Sequence, residues 1–317
     1  MLPEPRRKDS VLPWEKDFVL DKAEDNLPGV SIVIPIFNSG EFLEKTLRSL
    51  MCQDLTGVEL ILMDGGSTDD TADIVDKYRD IFSVIVMERD RGQSDAINKG
   101  YQRATKEILY WLNGDDIILP NALVAVRRAF RDNPGTHVVV GDAYMTEKDF
   151  TPIRHFQFSP EKVKFKYLLD YAAHHLIQPS VFFSREAWDA AGPCKEEMHY
   201  AMDADLFLGM ASKYEFLHIP VDIGYSVYHE ACKTRGKRGE SITELALVQA
   251  AHGGFAEARA TLDILVSMFN DLSNKAAAPG APSALAETLA GQKLAALQAE
   301  LDKNRTLLMD LDIEATS

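Results

Sequence analysis

The chain has 317 residues, 46% of them apolar and 26% charged, enough for one large α/β domain or two smaller ones. A net charge of −15 and a pI near 5.0 leave no basic excess to displace phosphate counterions, which argues against a nucleic-acid binder. Cys52, Cys194 and Cys232 are too few and too scattered for a disulfide framework or a C-x-x-C metal pair. No apolar run reaches the roughly 18 residues needed to span a bilayer, and the opening M-L-P-E-P-R-R-K-D-S lacks a signal-peptide core. Cytoplasmic residence, with at most peripheral membrane contact, is expected.

Residues 1–28 carry proline and charge with little periodicity and read as an arm, with Trp14, Phe18 and Val19 as possible anchors. The run V-S-I-V-I-P from Val30 is the pattern of a buried strand, followed by a Pro35–Gly40 loop and a helix with Phe42, Leu43, Leu47 and Leu50 on one face. A second strand, Val58–Met63, stops at Asp64-Gly65-Gly66-Ser67-Thr68, where Ser67 or Thr68 could cap the next helix. A third, Ser83–Met87, leads into Glu88-Arg89-Asp90-Arg91-Gly92-Gln93-Ser94-Asp95 and a further helix. A fourth, Ile108–Leu112, breaks at Asn113-Gly114-Asp115-Asp116 and resumes at Ile117. Strand, loop and helix repeated four times predict a parallel sheet covered by helices. The polar loops carrying Asn38, Asp64, Asp90 and Asp115 then converge on one sheet edge, where ligands bind in open α/β sheets. Adjacent carboxylates there need a compensating charge, which a divalent cation bound with phosphate oxygens supplies. An Asx-type turn with an N-capped helix would account for Asn-Gly-Asp-Asp taken alone.

Beyond Asn133-Pro134-Gly135 the rhythm changes. Another strand is expected at His137–Val140, a Lys- and aromatic-rich helix over 160–171, strand-like residues at Ile177–Phe183, and a helix opening at Tyr200-Ala201-Met202-Asp203. Short strands are expected at Phe216–Ile219 and Gly224–Tyr228, the second ending at His229. From Gly239 the composition turns Ala- and Leu-rich. Ser241-x-x-Glu244 matches a capping box, Gly253-Gly254 separates two helices, and 276–283 reads as a linker. Leu294, Leu297, Leu301, Leu308 and Leu311 follow heptad steps, a possible self-association helix.

Taken together, V-S-I-V-I-P-I-F-N, L-M-D-G-G-S-T-D-D-T, D-R-G-Q-S-D-A-I-N-K-G and Y-W-L-N-G-D-D resemble the family 2 glycosyltransferases of GT-A fold, over roughly Val30 to His229. The resemblance implies a Rossmann-like, mostly parallel sheet in an α/β domain over 29–235, preceded by the arm and followed by a helical extension over 236–317. It implies an inverting transfer from a nucleotide sugar, a UDP-sugar before others, to a hydroxyl of a polysaccharide, lipid-linked or protein-linked acceptor, with Mn²⁺ or Mg²⁺ as cofactor. Position by position, it places Pro35 and Asn38 at the nucleotide, Asp64 at the base, and Asp90, Gly92, Gln93 and Asp95 near ribose and sugar. Asp115 matches the metal-holding carboxylate, with Asn113 where the family's first aspartate usually stands. Asp116 and His229 are candidates to share the metal, Gln178 is a candidate acceptor contact, and Asp203 matches the catalytic base. Asp205 lies about 200° further round the helix, so the two do not form a carboxylate pair.

Two rival plans lack their signatures: no basic Gly-rich loop for a nucleotidyltransferase and no G-x-G-x-x-G for a dinucleotide-dependent dehydrogenase follow the first strand. A non-catalytic scaffold acting through the C-terminal helices remains the alternative from another class.

Overall fold

A computed structural model describes residues 2–229 and 237–277, with scattered positions between 292 and 302. The β-branched runs become strands and the amphipathic stretches after them helices, in the order β1 (Val30–Ile36), α1 (Leu43–Leu50), β2 (Val58–Asp64), α2 (Thr71–Lys77), β3 (Val84–Met87), α3 (Gln93–Arg103) and β4 (Ile108–Trp111). Next come β5 (Ile117–Ile118), α4 (Ala122–Asp132), β6 (Val138–Thr146), β7 (Pro152–Phe156), and the single turns α5 (Phe165–Leu168) and α6 (Tyr171–His174). The domain continues with β8 (Val181–Ser184), α7 (Arg185–Ala191), α8 (Met202–Ala211) and β9 (Phe216–Val227). Two helices follow, α9 (Arg238–Ala251) and α10 (Phe255–Ala277).

All nine strands join one sheet in the order β3-β2-β1-β4-β8-β6-β9-β5, with β7 paired to the far part of β6. The first four are mutually parallel; β8 runs antiparallel to β4 and β6, and β9 runs parallel to β6. Successive strand side chains point to opposite faces, and the two faces hold separate cores. Val33, Ile61, Leu109 and Trp111 pack with Ala96, Ile97, Leu206 and Phe207 on one face. Ile32, Ile34, Leu60, Leu62, Ile108 and Tyr110 pack with Leu43, Leu47, Ile74 and Leu123 on the other. Gly100 lets α3 approach the sheet closely, because a Cβ there would lie 2.4 Å from a methyl of Val33. In register, Ile36 opposes Asp64 and Asp64 opposes Met87, so β1, β2 and β3 end level and their loops share one edge.

Several local expectations are corrected. The helix expected over 160–171 is two single turns, anchored by buried Val163, Leu168 and Tyr171, with Asp170 leaving helical backbone between them. Residues 178–180 form a 3₁₀ turn before β8, and the two short strands expected around 216–228 are one continuous strand. Helix α2 is capped by neither Ser67 nor Thr68 but begins after Asp70. Ser241 and Glu244 lie inside α9 instead of at its start.

The arm packs on the body. Leu12 is fully buried with Ile117 and Val227, Trp14 sits against Phe150 and Tyr225, and Arg48 pairs with Glu15 in the interior. Glu44 accepts the backbone N–H groups of Arg6 (2.7 Å) and Arg7 (3.1 Å) and bonds Lys77 (3.0 Å). The expected linker begins inside α10 and otherwise lies outside the described residues, as do the heptad leucines and Cys232. No helix among the described residues is long and apolar enough to cross a membrane.

Candidate active site

The level ends of β1, β2 and β3, with β4 stopping short beside Val33, leave a recess at the carboxyl edge of the sheet. The cleft there holds about 730 Å³ and is closed on its far side by the start of α8 and the end of β9. Of the residues expected at the site, Pro35, Asn38, Asp90, Gly92, Gln93, Asn113, Asp115, Asp116, Gln178, Asp203 and His229 line it.

Each loop is braced by the next. Asn38 adopts left-handed backbone (φ 49°), and its Oδ1 accepts the Thr68 N–H at 2.8 Å while its own N–H donates to Ser67 Oγ at 2.8 Å. Asp64 lies beneath this junction. It is buried, and its Oδ1 accepts both the N–H (3.0 Å) and the hydroxyl (2.6 Å) of Ser67. Gly65, not Asp64, faces the cleft, and a Cβ on it would come within 2.6 Å of the Asp90 carboxylate. Asp90 accepts the Gly92 N–H at 2.9 Å, turning the loop at Gly92 (φ 125°), a conformation open to glycine. Asp95, expected beside the ribose, lies under the loop instead. Its side chain is 2% exposed and binds Arg91 and Lys99, each at 2.9 Å. Burial opposes its ionisation, but these two cations and the Arg91 N–H hold its carboxyl well below the usual carboxylate range.

At the end of β4 the amides form a chain. Gln93 Nε2 donates to Asn113 Oδ1 (2.7 Å), and Asn113 Nδ2 donates to Asp116 Oδ2 (2.9 Å) and Gln178 Oε1 (3.0 Å). Gln178 Nε2 in turn donates to the Trp111 carbonyl at 2.9 Å. Gly114 packs against Ile36, where a Cβ would sit 2.6 Å from its methyl, so the turn fits under the first loop.

The two carboxylates that follow diverge. Asp115 is 34% exposed and points into the cleft, with Oδ2 lying 2.9 Å from His229 Nε2. The His229 ring is stacked on Phe42 at 4.2 Å, which fixes its plane. Asp116, expected to share the metal, is buried and keeps both oxygens on structural donors, Asn113 and the Val227 N–H at 3.2 Å. Burial, then the Asp115 charge, pushes its carboxyl well above the ordinary range.

Opposite lies Asp203 at the first turn of α8. Its Oδ1 accepts the Ala204 N–H at 2.8 Å, and desolvation at the cleft floor raises its carboxyl to about 6. Asp205 points elsewhere, to Lys195 (2.9 Å) and His252 (3.1 Å), as the helical geometry required. The loop before Asp203 is held from outside the domain: the Glu244 carboxylate on α9 accepts the N–H groups of His199 (2.8 Å), Tyr200 (2.5 Å) and Ala201 (2.7 Å).

Among the lining residues that escaped sequence reasoning are Phe37, Arg89, His199 and Tyr200. Phe37 is 61% exposed, a flat apolar face at the cleft mouth. Arg89 brings a cation to an otherwise acidic lining. Its place one residue before Asp90, at the end of β3, was the signal that could have found it.

The donor set fits a hard divalent cation. The half-exposed Asp115 carboxylate and the buried His229 imidazole meet at the cleft wall, where water and phosphate oxygens would complete the shell of such an ion. The whole arrangement, an Asp–His pair facing a desolvated carboxyl across a cleft, suits displacement of a phosphate leaving group.

Comparison with known proteins agrees. The family model described as "Glycosyl transferase family 2" matches residues 31–191. Poly-beta-1,6-N-acetyl-D-glucosamine synthase of Staphylococcus epidermidis is 25% identical over 138 residues, covering 43% of this chain but only 34% of that protein, so the chain spans about a third of it. A PGL/p-HBAD biosynthesis glycosyltransferase of Mycobacterium bovis is 27% identical over 202 residues, 61% of this chain and 75% of that one. Among solved structures, S. aureus TarS 1–349 in complex with UDP-GlcNAc aligns at TM-score 0.56 and 19% identity, over 80% of this chain and 76% of that one. A mannosyltransferase from Pyrobaculum calidifontis in complex with GDP-Man and Mn²⁺ aligns at 0.55 and 18%, over 95% and 90%. The α/β fold is that of these GT-A enzymes, and the chain belongs to glycosyl transferase family 2.

Proposed function

We propose that the protein transfers a sugar, with inversion, from a nucleoside-diphosphate sugar (a UDP-sugar first) to a hydroxyl of a polysaccharide, lipid-linked or protein-linked acceptor. The observation that carries this reading is the convergence of Asp115, His229, Arg89 and Asp203 on one cleft. Phe37 offers a stacking face for the base, and the braced loops at Asn38 and Gly65 shape the wall against which the nucleotide would lie. Asp115 and His229 would hold Mn²⁺ or Mg²⁺. Bound there, the ion supplies Lewis-acid neutralisation of the leaving diphosphate. Arg89 adds a second positive charge on the same side. Asp203 takes the proton from the attacking hydroxyl; a base whose own value lies near 6 is ionised at neutral pH yet still basic enough to accept it. In-line attack from the opposite face of the sugar follows and inverts the anomeric carbon. The relative named poly-beta-1,6-N-acetyl-D-glucosamine synthase favours a glycan acceptor.

Calorimetric titration of UDP-GlcNAc and GDP-mannose, with Mn²⁺ and with EDTA, tests the donor side. Expected is metal-dependent binding that weakens at least about tenfold in Asp115→Asn. Failure of every nucleotide sugar to bind would overturn the reading and favour the scaffold alternative.

A further inference from the structure

Strands β6, β7 and β9 carry a second group of metal-ligating side chains. Asp142, His155 and Asp222 each present one ligand atom, all lying within 4.8 Å of one another. Among the described residues no other three His, Cys, Asp or Glu side chains converge so closely. Asp142 faces Asp222 across β6 and β9, and His155 lies beside Tyr144 across β6 and β7. All three residues lie on paired strands and not in a loop, with the β6–β9 register shifting on either side of Asp142. Asp222 lies five residues before the cleft-lining Val227, about 16 Å along the strand.

The supporting contacts orient the group as the outer shell of a metal site does. Asp142 is only 6% exposed; one of its oxygens accepts the Phe158 N–H and faces His218 Nε2, both at 2.9 Å. The Tyr144 ring lies flat on the His155 imidazole (4.0 Å, 4°), and its hydroxyl donates to Asp222 Oδ2 at 3.3 Å. His155 Nε2 points at Asp222 Oδ1 at 2.7 Å. Nearby Arg154 is turned away over the Phe156 ring, so it does not balance the two carboxylates. Two carboxylates and one imidazole are a donor set that zinc and its neighbours accept.

We propose that Asp142, His155 and Asp222 bind a divalent transition-metal ion of the zinc type, separate from the donor cleft. The ion ties the exposed edge strand β7 to β6 and β9. Beside Tyr144 stands Tyr225, which with Phe150 seats Trp14 of the N-terminal arm. The ion's role is structural.

The test uses the full chain, stripped with chelator and titrated with Zn²⁺ alone, so it does not depend on any donor or acceptor. Expected are a Tm rise of about 3 °C or more at saturating zinc, retained in Asp115→Asn, and binding weakened at least about tenfold in His155→Gln and Asp222→Asn. X-ray absorption at the zinc edge of the Asp115→Asn/His229→Gln variant should show an imidazole and oxygens without sulfur; this guards against His155→Gln simply loosening the strand. No zinc binding at about 100 µM, binding unchanged in His155→Gln and Asp222→Asn, or a spectrum without imidazole would overturn the proposal and leave the group as hydrogen-bonded His–Asp pairs.

Discussion

Asn113 fills roles that an aspartate cannot. It accepts from Gln93 and donates to both Asp116 and Gln178, and only an amide does all three. Replacement by aspartate removes two donations and sets a third carboxylate beside Asp115 and Asp116. Asn113→Asp is therefore expected to cost about 1–3 kcal/mol of stability, read as a lowered denaturant midpoint; an unchanged midpoint would show the amide chain to be incidental. Sequence reading saw Asn113 only as a departure from an acidic motif, because its partners are 20 and 65 residues away along the chain. The same blindness placed Asp95 at the ribose. Nothing local says that Arg91 and Lys99 will turn it under the loop.

Asp203 allows a sharper test. Desolvation raises its carboxyl to about 6 in the folded protein, against about 3.9 unfolded. The native state thus holds its proton more tightly, so this group contributes stability at low pH that fades as pH rises through about 6. Above pH 7 the buried charge is a cost, and Asp203→Asn is expected to leave Tm unchanged or raised. Catalysis has the opposite sign: turnover should fall as pH drops through about 6, and the variant should lose about 10²–10⁴-fold in kcat. A variant that lost stability and activity together would mark Asp203 as structural.

At the scale of elements, what was legible followed from periodicity. Buried strands written as continuous apolar runs and four loop-bearing strand ends were clear from Val30 to Trp111, since each depends on neighbours close in sequence. The region from 160 to 180 was not, because its short turns are shaped by contacts to other elements. Glu244 shows the limit well. Its spacing from Ser241 reads as a helix cap, yet it sits within α9 and grips three successive backbone N–H groups before Asp203. Truncation to alanine leaves those donors without their acceptor and frees the loop bearing His199 and Tyr200. Glu244→Ala is expected to lower kcat by about tenfold or more while donor affinity holds, measured by steady-state kinetics alongside donor titration; loss of donor affinity instead would contradict a positioning role.

The arm is a comparable case. Burial opposes ionisation of Glu44, but the Arg6 and Arg7 N–H groups, Lys77 and Tyr78 together lower its carboxyl to about 2. Its stabilisation is present above the unfolded value near 4.3 and is lost as pH falls from there toward 2. Glu44→Gln should release the arm, seen as faster proteolysis before residue 28 at neutral pH; an unchanged digestion rate would show the arm to be held by Leu12 and Trp14 alone.

Across the whole molecule, acidity and function are reconciled by placement. A chain of net charge −15 binds a polyanionic donor only if positive charge is gathered where the diphosphate lies. Arg89 lies in that cleft, and a cation held by Asp115 and His229, as proposed, would add to it. Residues 238–252 are joined to the body through Glu244, through His252 to Asp205 and through Gln249 to the Leu169 carbonyl, so they brace the loop before Asp203 without lining the cleft. The motifs exposed the family plan because they sit on strand ends, whereas the bracing from α9 is long-range and left no local trace.

The most direct test is nucleotide release from a panel of nucleotide sugars by wild type and Asp203→Asn, each with Mn²⁺, Mg²⁺ or EDTA. Expected is metal-dependent release from one donor, lost at least about 100-fold in the variant while its donor affinity is retained. Equal release by both proteins, or release indifferent to EDTA, would contradict a metal-dependent transfer with Asp203 as base.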